Sequence, residues 1–101
     1  NGKGEAFSPT DLVATALASC MLTIMGIFAQ KHKIYITGAK ATIHKIMGSN
    51  PRRIKEIIIE ISLNKKINSK NRKLLKKAAL LCPVGKSLEQ DIIQNIRFNY
   101  V

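Results

Sequence analysis

Between Leu12 and Ala29 the chain carries eighteen consecutive residues without a charge, and this run limits the fold more than any other feature. Ser8-Pro9-Thr10-Asp11 stands directly before it. Ser8 is a good N-cap, Pro9 fits the first helical position because its missing N–H has no intrahelical partner there, and Asp11 sits where a capping-box carboxylate reaches back. The spacing predicts a helix that runs on to Gln30 or Lys33, with Lys31, His32 and Lys33 near the negative end of its dipole. Apolar side chains point in every direction around this helix, so both of its sides need cover. A bilayer is one cover, and eighteen residues is the lower limit for spanning hydrocarbon. The run is rich in Ala, Thr and Ser, with almost no bulky aliphatics in its first half, which favours a buried core helix over a membrane span.

With 101 residues the chain makes one domain that buries a modest fraction of its surface. So short a chain supplies little cover for an all-round apolar helix. An intimate dimer, covering elements outside these residues, or both are expected. The first residues, Asn1-Gly2-Lys3-Gly4, suggest that an N-terminal portion precedes residue 1. They show no signal peptide or lipidation motif.

Seventeen Lys and Arg against six Asp and Glu give a net charge of +11, which raises nucleic acid and anionic membrane as partners. The cations are mostly Lys, scattered in company with many Ile and Asn. The five aromatics are not interleaved with them as a stacking platform requires. A solvated basic surface is the reading, with neither nucleic acid nor membrane as partner.

Further along, Tyr35 to Met47 reads as a strand bent near Gly38, ended by the turn Gly48-Ser49-Asn50-Pro51. Ile54 to Leu63 alternates, with Ile57, Ile59, Ile61 and Leu63 on one face and Glu56, Glu60 and Ser62 on the other. These two strands form an antiparallel hairpin. Ser69 is read as the cap of a second, amphipathic helix whose Leu74, Leu75, Ala78, Ala79, Leu81 and Cys82 recur at helical spacing. Pro83 ends that helix and opens a short one to Gln90, with Cys82 as its N-cap. Ile92, Ile96, Phe98 and Tyr100 complete a last strand. The order is not strict βαβ alternation, so the class is α+β with a mainly antiparallel sheet and a long buried central helix, in one domain over residues 1–101.

The chemistry-bearing residues are few. Cys20 and Cys82 lie 62 positions apart, too sparse for a secreted disulfide scaffold and without metal-ligand spacing, and neither His32 nor His44 has a partner at such spacing. The thiols are either inert core residues or redox-active ones. As the N-cap of a short helix Cys82 faces unpaired N–H groups, which favour thiolate, and Lys86 four residues on adds positive charge. Cys20 lies inside an apolar helix, where a cysteine is usually a small hydrophobe, and nothing adjacent in sequence activates it. Gly85-Lys86-Ser87 looks like the end of a phosphate loop, but the motif requires Gly where Leu80 stands. No Gly-x-x-Gly loop suggests a KH-type RNA module.

Two blocks, Phe7-Ser8-Pro9-Thr10-Asp11-Leu12 through Ala18-Ser19-Cys20 and Ala78-Ala79-Leu80-Leu81-Cys82-Pro83-Val84-Gly85-Lys86-Ser87-Leu88, resemble the OsmC/Ohr family of osmotically inducible and organic hydroperoxide resistance proteins. Within it the chain looks most like the OsmC-like branch with a Cys-Pro-Val turn. The resemblance implies an intertwined α+β homodimer in which long central helices are wrapped by sheets from both subunits, with N-terminal β-strands preceding this sequence. It implies a cytoplasmic thiol peroxidase acting on organic hydroperoxides. Cys20 corresponds to the peroxidatic thiol and Cys82 to the resolving thiol, with Thr10, Asp11 and Lys86 as supporting residues. An external dithiol reductant such as a lipoyl protein restores the pair, and no metal or bound cofactor is required. The family's Arg lies in those N-terminal strands, and its Glu position holds Thr10 here, with Asp11 one place later. That departure motivates the alternative on the same fold, a small hydrophobic ligand-binding or redox-sensing module.

Overall fold

A computed structural model describes residues 8–101, so the expected approach loop over residues 1–7 lies outside the described residues. Helix α1 spans Pro9–Lys31, β1 Lys40–Gly48, β2 Arg53–Leu63, α2 Ser69–Ala79, α3 Pro83–Ser87 and β3 Ile93–Tyr100. The helix start is as the sequence predicts. Ser8 Oγ accepts from the Asp11 N–H at 3.2 Å and the Asp11 carboxylate accepts from the Ser8 N–H at 3.4 Å, a reciprocal capping box.

The three strands lie in the order β1-β2-β3. β1 and β2 pair antiparallel as the hairpin, but β2 and β3 pair parallel. The sheet is therefore mixed, and the expectation of a mainly antiparallel sheet is corrected. The reason is connectivity: α2 and α3 carry the chain from the end of β2 back past the sheet, and such a crossover returns the next strand in the same direction. β2 is central, so its alternation is the strongest in the chain. Ile57, Ile59, Ile61 and Leu63 are all buried under the helices, and Ile59 sits opposite Ile43 on one side and Ile96 on the other.

Smaller differences follow from local chemistry. β1 begins at Lys40 rather than Tyr35, because Gly38 takes a positive φ of 86° that breaks the extended run. Asn68 caps α2 in place of Ser69, its side chain accepting from the Asn71 N–H at 2.8 Å. Arg72 then fastens the start of α2 to its surroundings. Its Nε donates to the Ile67 carbonyl at 2.7 Å, its Nη2 to the Lys65 carbonyl at 2.6 Å, and its guanidinium stacks 4.0 Å from the Tyr100 ring centre at the end of β3. α3 stops at Ser87 rather than Gln90.

α1 is long and apolar enough to cross a membrane, but one stripe of it forms the core. Ala14, Leu17, Ala18, Met21, Met25 and Ala29 are buried along one helical face, against the sheet and α2. Burying each of Leu17, Met21 and Met25 contributes about 1.5–3 kcal/mol. As expected for so short a chain, α1 is not covered all round: Leu12 remains 54 % and Ile27 59 % exposed.

Candidate dithiol site

Cys20 lies on α1 one turn beyond Leu17, half-buried, while Cys82 at the N-cap of α3 is 1 % exposed. The two elements that carry them are held together by α3 packing on α1 at this level, where a Cβ added at Gly85 would stand 3.4 Å from Leu17 Cδ1. This placement follows from the sequence between them. Pro83 forbids continuation of α2, so the chain turns at Cys82 and lays a second short helix against α1. The thiols stand close enough to perturb each other.

The electrostatics of Cys82 differ from the sequence expectation. Its Sγ does accept a hydrogen bond from the Gly85 N–H at 3.2 Å, as an N-cap should. Burial, however, is the larger influence and pushes the thiol up from its ordinary value, with the neighbouring Cys20 thiol adding to the rise. The Gly85 N–H opposes this without overcoming it. Resting Cys82 is thus a protonated, hydrogen-bonded thiol rather than a thiolate. A helix of five residues has too little dipole to change that balance.

Lys86, the expected local charge, makes no side-chain hydrogen bond to Cys82. It is exposed at the end of α3 and its side chain makes no hydrogen bond or ion pair among the described residues. Thr10 and Asp11 belong to a separate cluster. Lys45, reaching over from β1, donates from Nζ to Thr10 Oγ1 at 2.8 Å and pairs with Asp11 Oδ1 at 2.9 Å. These bonds, with Ser8, hold the Asp11 carboxyl below its ordinary value. Nine residues separate Asp11 from Cys20, which on a helix is about 14 Å of rise and a half-turn of rotation. Within one chain this polar cluster sits at the start of α1, more than two turns along the helix from Cys20.

Three residues of these two clusters escaped the sequence reading: Lys45, Gly85 and Gln94. Gln94 on β3 donates from Nε2 to the Gly85 carbonyl at 2.9 Å, behind the Cys82 sulfur. Only the alternation of β1 and β3 carried any signal for Lys45 and Gln94, since their partners are 34 or more and nine residues distant. No group of three or more His, Cys, Asp and Glu gathers at metal-binding distance among the described residues.

A half-exposed thiol on a core helix, set beside a buried thiol at a helix start and backed by a mixed sheet, defines a two-cysteine α+β domain. The OsmC-like protein family matches residues 2–96, and the chain belongs to it. Among solved structures, a Psychrobacter arcticus protein named for the osmotic stress and detoxification response is 50 % identical, with a TM-score of 0.90 over 95 % of this chain and 70 % of that one. An OsmC-like protein of Mycoplasma pneumoniae is 17 % identical, with a TM-score of 0.84 over 100 % of this chain and 77 % of that one. An organic hydroperoxide resistance protein of Bacillus subtilis is 16 % identical, with a TM-score of 0.76 over 96 % and 73 %. The last two share the fold. None of the curated proteins matches the chain.

Proposed function

We propose that this protein is a thiol-dependent peroxidase that reduces organic hydroperoxides, with Cys20 as the peroxidatic and Cys82 as the resolving cysteine. The observation that carries the reading is the convergence of the two cysteines in the sequence, 62 positions apart, on one spot with unequal exposure. The greater exposure of Cys20 supports its role toward the oxidant, and the burial of Cys82 beside it supports the resolving role. The Cys20 thiolate attacks the O–O bond of ROOH and becomes sulfenic acid, while the other oxygen leaves as alkoxide and takes up the proton released when the Cys20 thiol ionised, to give the alcohol ROH. Cys82 sulfur then attacks the sulfenic sulfur, and the released hydroxide takes the Cys82 proton to leave as water. An external dithiol such as a lipoyl protein reduces the disulfide and is itself oxidised.

A homodimer and a reducing, cytoplasmic setting belong to the same proposal. Exposed Leu12 and Ile27, and an open apolar groove of about 470 Å3 between α1 and α2, support a second copy as cover for α1. Such cover makes the approach to Cys20 apolar, which favours an organic peroxide over hydrogen peroxide. Reduced protein given one equivalent of cumene hydroperoxide should lose two thiols and show a Cys20–Cys82 disulfide by peptide mass spectrometry. Consumption of the peroxide by Cys20→Ser at the wild-type rate would overturn the reading.

One observation favours the ligand-binding or redox-sensing alternative: Lys45 engages both Thr10 and Asp11 at the start of α1, so these two residues are taken up in a capping cluster. On that reading peroxide leaves the thiol content unchanged and an apolar ligand raises the melting temperature.

A further inference from the structure

The Cys82 sulfur is held from behind by a chain of contacts that the peroxidase reading does not use. Gly85 N–H donates to Cys82 Sγ at 3.2 Å, and the Gly85 carbonyl in turn accepts from Gln94 Nε2 at 2.9 Å. Gln94 is half-buried on β3, in register with Ile57 of the central strand, so its backbone is fixed by the sheet. Gly85 is hemmed in on the remaining sides. A Cβ there would stand 3.0 Å from Gln94 Oε1, 3.3 Å from Cys82 Sγ and 3.4 Å from Leu17 Cδ1. The glycine therefore lets the Gln94 amide, the sulfur and the core helix approach one backbone unit together.

We propose that Gln94 is a positioning residue for Cys82: its amide anchors Gly85, and the anchored Gly85 N–H aims and polarises the sulfur that closes the disulfide on Cys20. The inference rests on the dithiol role proposed above, and it adds a residue from a different element to that site. Its chemical consequence is specific. An N–H aimed at sulfur stabilises the negative charge that develops as the Cys82 proton departs. The α3 turn is only five residues long and so cannot hold that N–H in place by its own cooperativity. Of the three side chains nearest a Cβ built at Gly85, Gln94 is the one that donates a hydrogen bond to its backbone, and it comes from a strand in the sheet.

The test uses the full chain in a Cys20→Ser background, where Cys82 is the remaining thiol. Its ionisation is followed by thiolate absorbance near 240 nm against pH, with and without Gln94→Met, which keeps the volume and removes the donor. The expected result is an upward move of the Cys82 midpoint by about half a unit or more, since the Gly85 N–H that supports the charged form is no longer held on the sulfur. Gln94→Glu should move it upward further, by placing a carboxylate near the sulfur. In the two-cysteine protein, Gln94→Met should slow diamide-driven closure of the disulfide about tenfold at neutral pH. Equal midpoints in the presence and absence of Gln94→Met, with both proteins folded by circular dichroism, would overturn the inference. Failure of the peroxidase reading shows elsewhere, as absence of hydroperoxide turnover with dithiothreitol in the unmodified protein. The titration is read independently of that outcome.

Discussion

Gly85→Ala tests the packing behind the dithiol most directly, because the structure fixes where the added methyl must go. It meets Gln94 Oε1 at 3.0 Å, Cys82 Sγ at 3.3 Å and Leu17 Cδ1 at 3.4 Å. The first contact requires the Gln94 amide to yield by a few tenths of an ångström, and that amide is tied to the Gly85 carbonyl by a 2.9 Å bond. Stretching or losing this bond costs about 1 kcal/mol. Leu17 is 0 % exposed and has no room to step aside, so overpacking adds about 1–2 kcal/mol. Alanine returns about 0.8 kcal/mol through its better helical propensity. The net expectation is about 1–2 kcal/mol of destabilisation. For a chain of 101 residues that is a fall in melting temperature of about 5–15 °C. Thermal unfolding of the reduced protein by circular dichroism measures it, alongside the rate of diamide-driven disulfide closure. An unchanged or raised melting temperature with an unchanged closure rate would show that Gly85 has slack around it and that the Gln94 bond does not constrain the turn.

Two further outcomes follow from the same contacts. The Asp11 carboxyl, held low chiefly by its hydrogen bond to Lys45 and then by Ser8, contributes stability that is whole above its ordinary value near 3.8 and is lost as pH falls through the folded value. Asp11→Asn should therefore lower the urea midpoint at pH 6, and the gap to the unmodified protein should close as pH drops below about 4; a gap that widens in acid would refute the assignment. Oxidation to the Cys20–Cys82 disulfide closes a loop spanning 62 positions, which on chain-entropy grounds adds up to about 4 kcal/mol. The oxidised protein should melt at higher temperature than the reduced one by calorimetry, and an equal or lower value would mean that closure strains the α1 to α3 contact.

The parts of the fold legible in the sequence are those specified by near neighbours. Ser8, Pro9 and Asp11 define the start of α1 within four residues, the isoleucines of β2 alternate because the strand is central and helices cover one face, and Pro83 forces the turn that makes Cys82 an N-cap. What the sequence did not show depends on distant partners. The parallel pairing of β2 with β3 is settled by how two helices return the chain. The raised affinity of Cys82 for its proton comes first from burial, which depends on elements as far away in sequence as α1. Lys45 reads as one more strand-surface cation, yet it clasps Thr10 and Asp11 across 35 and 34 positions. The uncharged stretch of α1 correctly signalled a helix needing cover, but apolarity alone could not tell the stripe that this chain buries from the face left bare at Leu12 and Ile27.

That bare face and the uneven burial of the thiols bear on one another. If both sulfurs were equally open, an oxidant would reach either, and each could be driven past the sulfenic acid before the other arrived. Here Cys82 is almost fully covered and keeps its proton, so direct oxidation of it is disfavoured by both access and charge. Its proton is needed only when hydroxide leaves Cys20, at which point departure of the proton as water and attack by sulfur are coupled. The Gly85 N–H then supports the developing charge without having made a standing thiolate. On the proposed reading the order of the chemistry, Cys20 first and Cys82 second, follows from burial rather than from any difference in intrinsic reactivity. A substitution that opens Cys82 to solvent while keeping its contact with Cys20 should therefore raise overoxidation at Cys82 more than it changes the first step at Cys20.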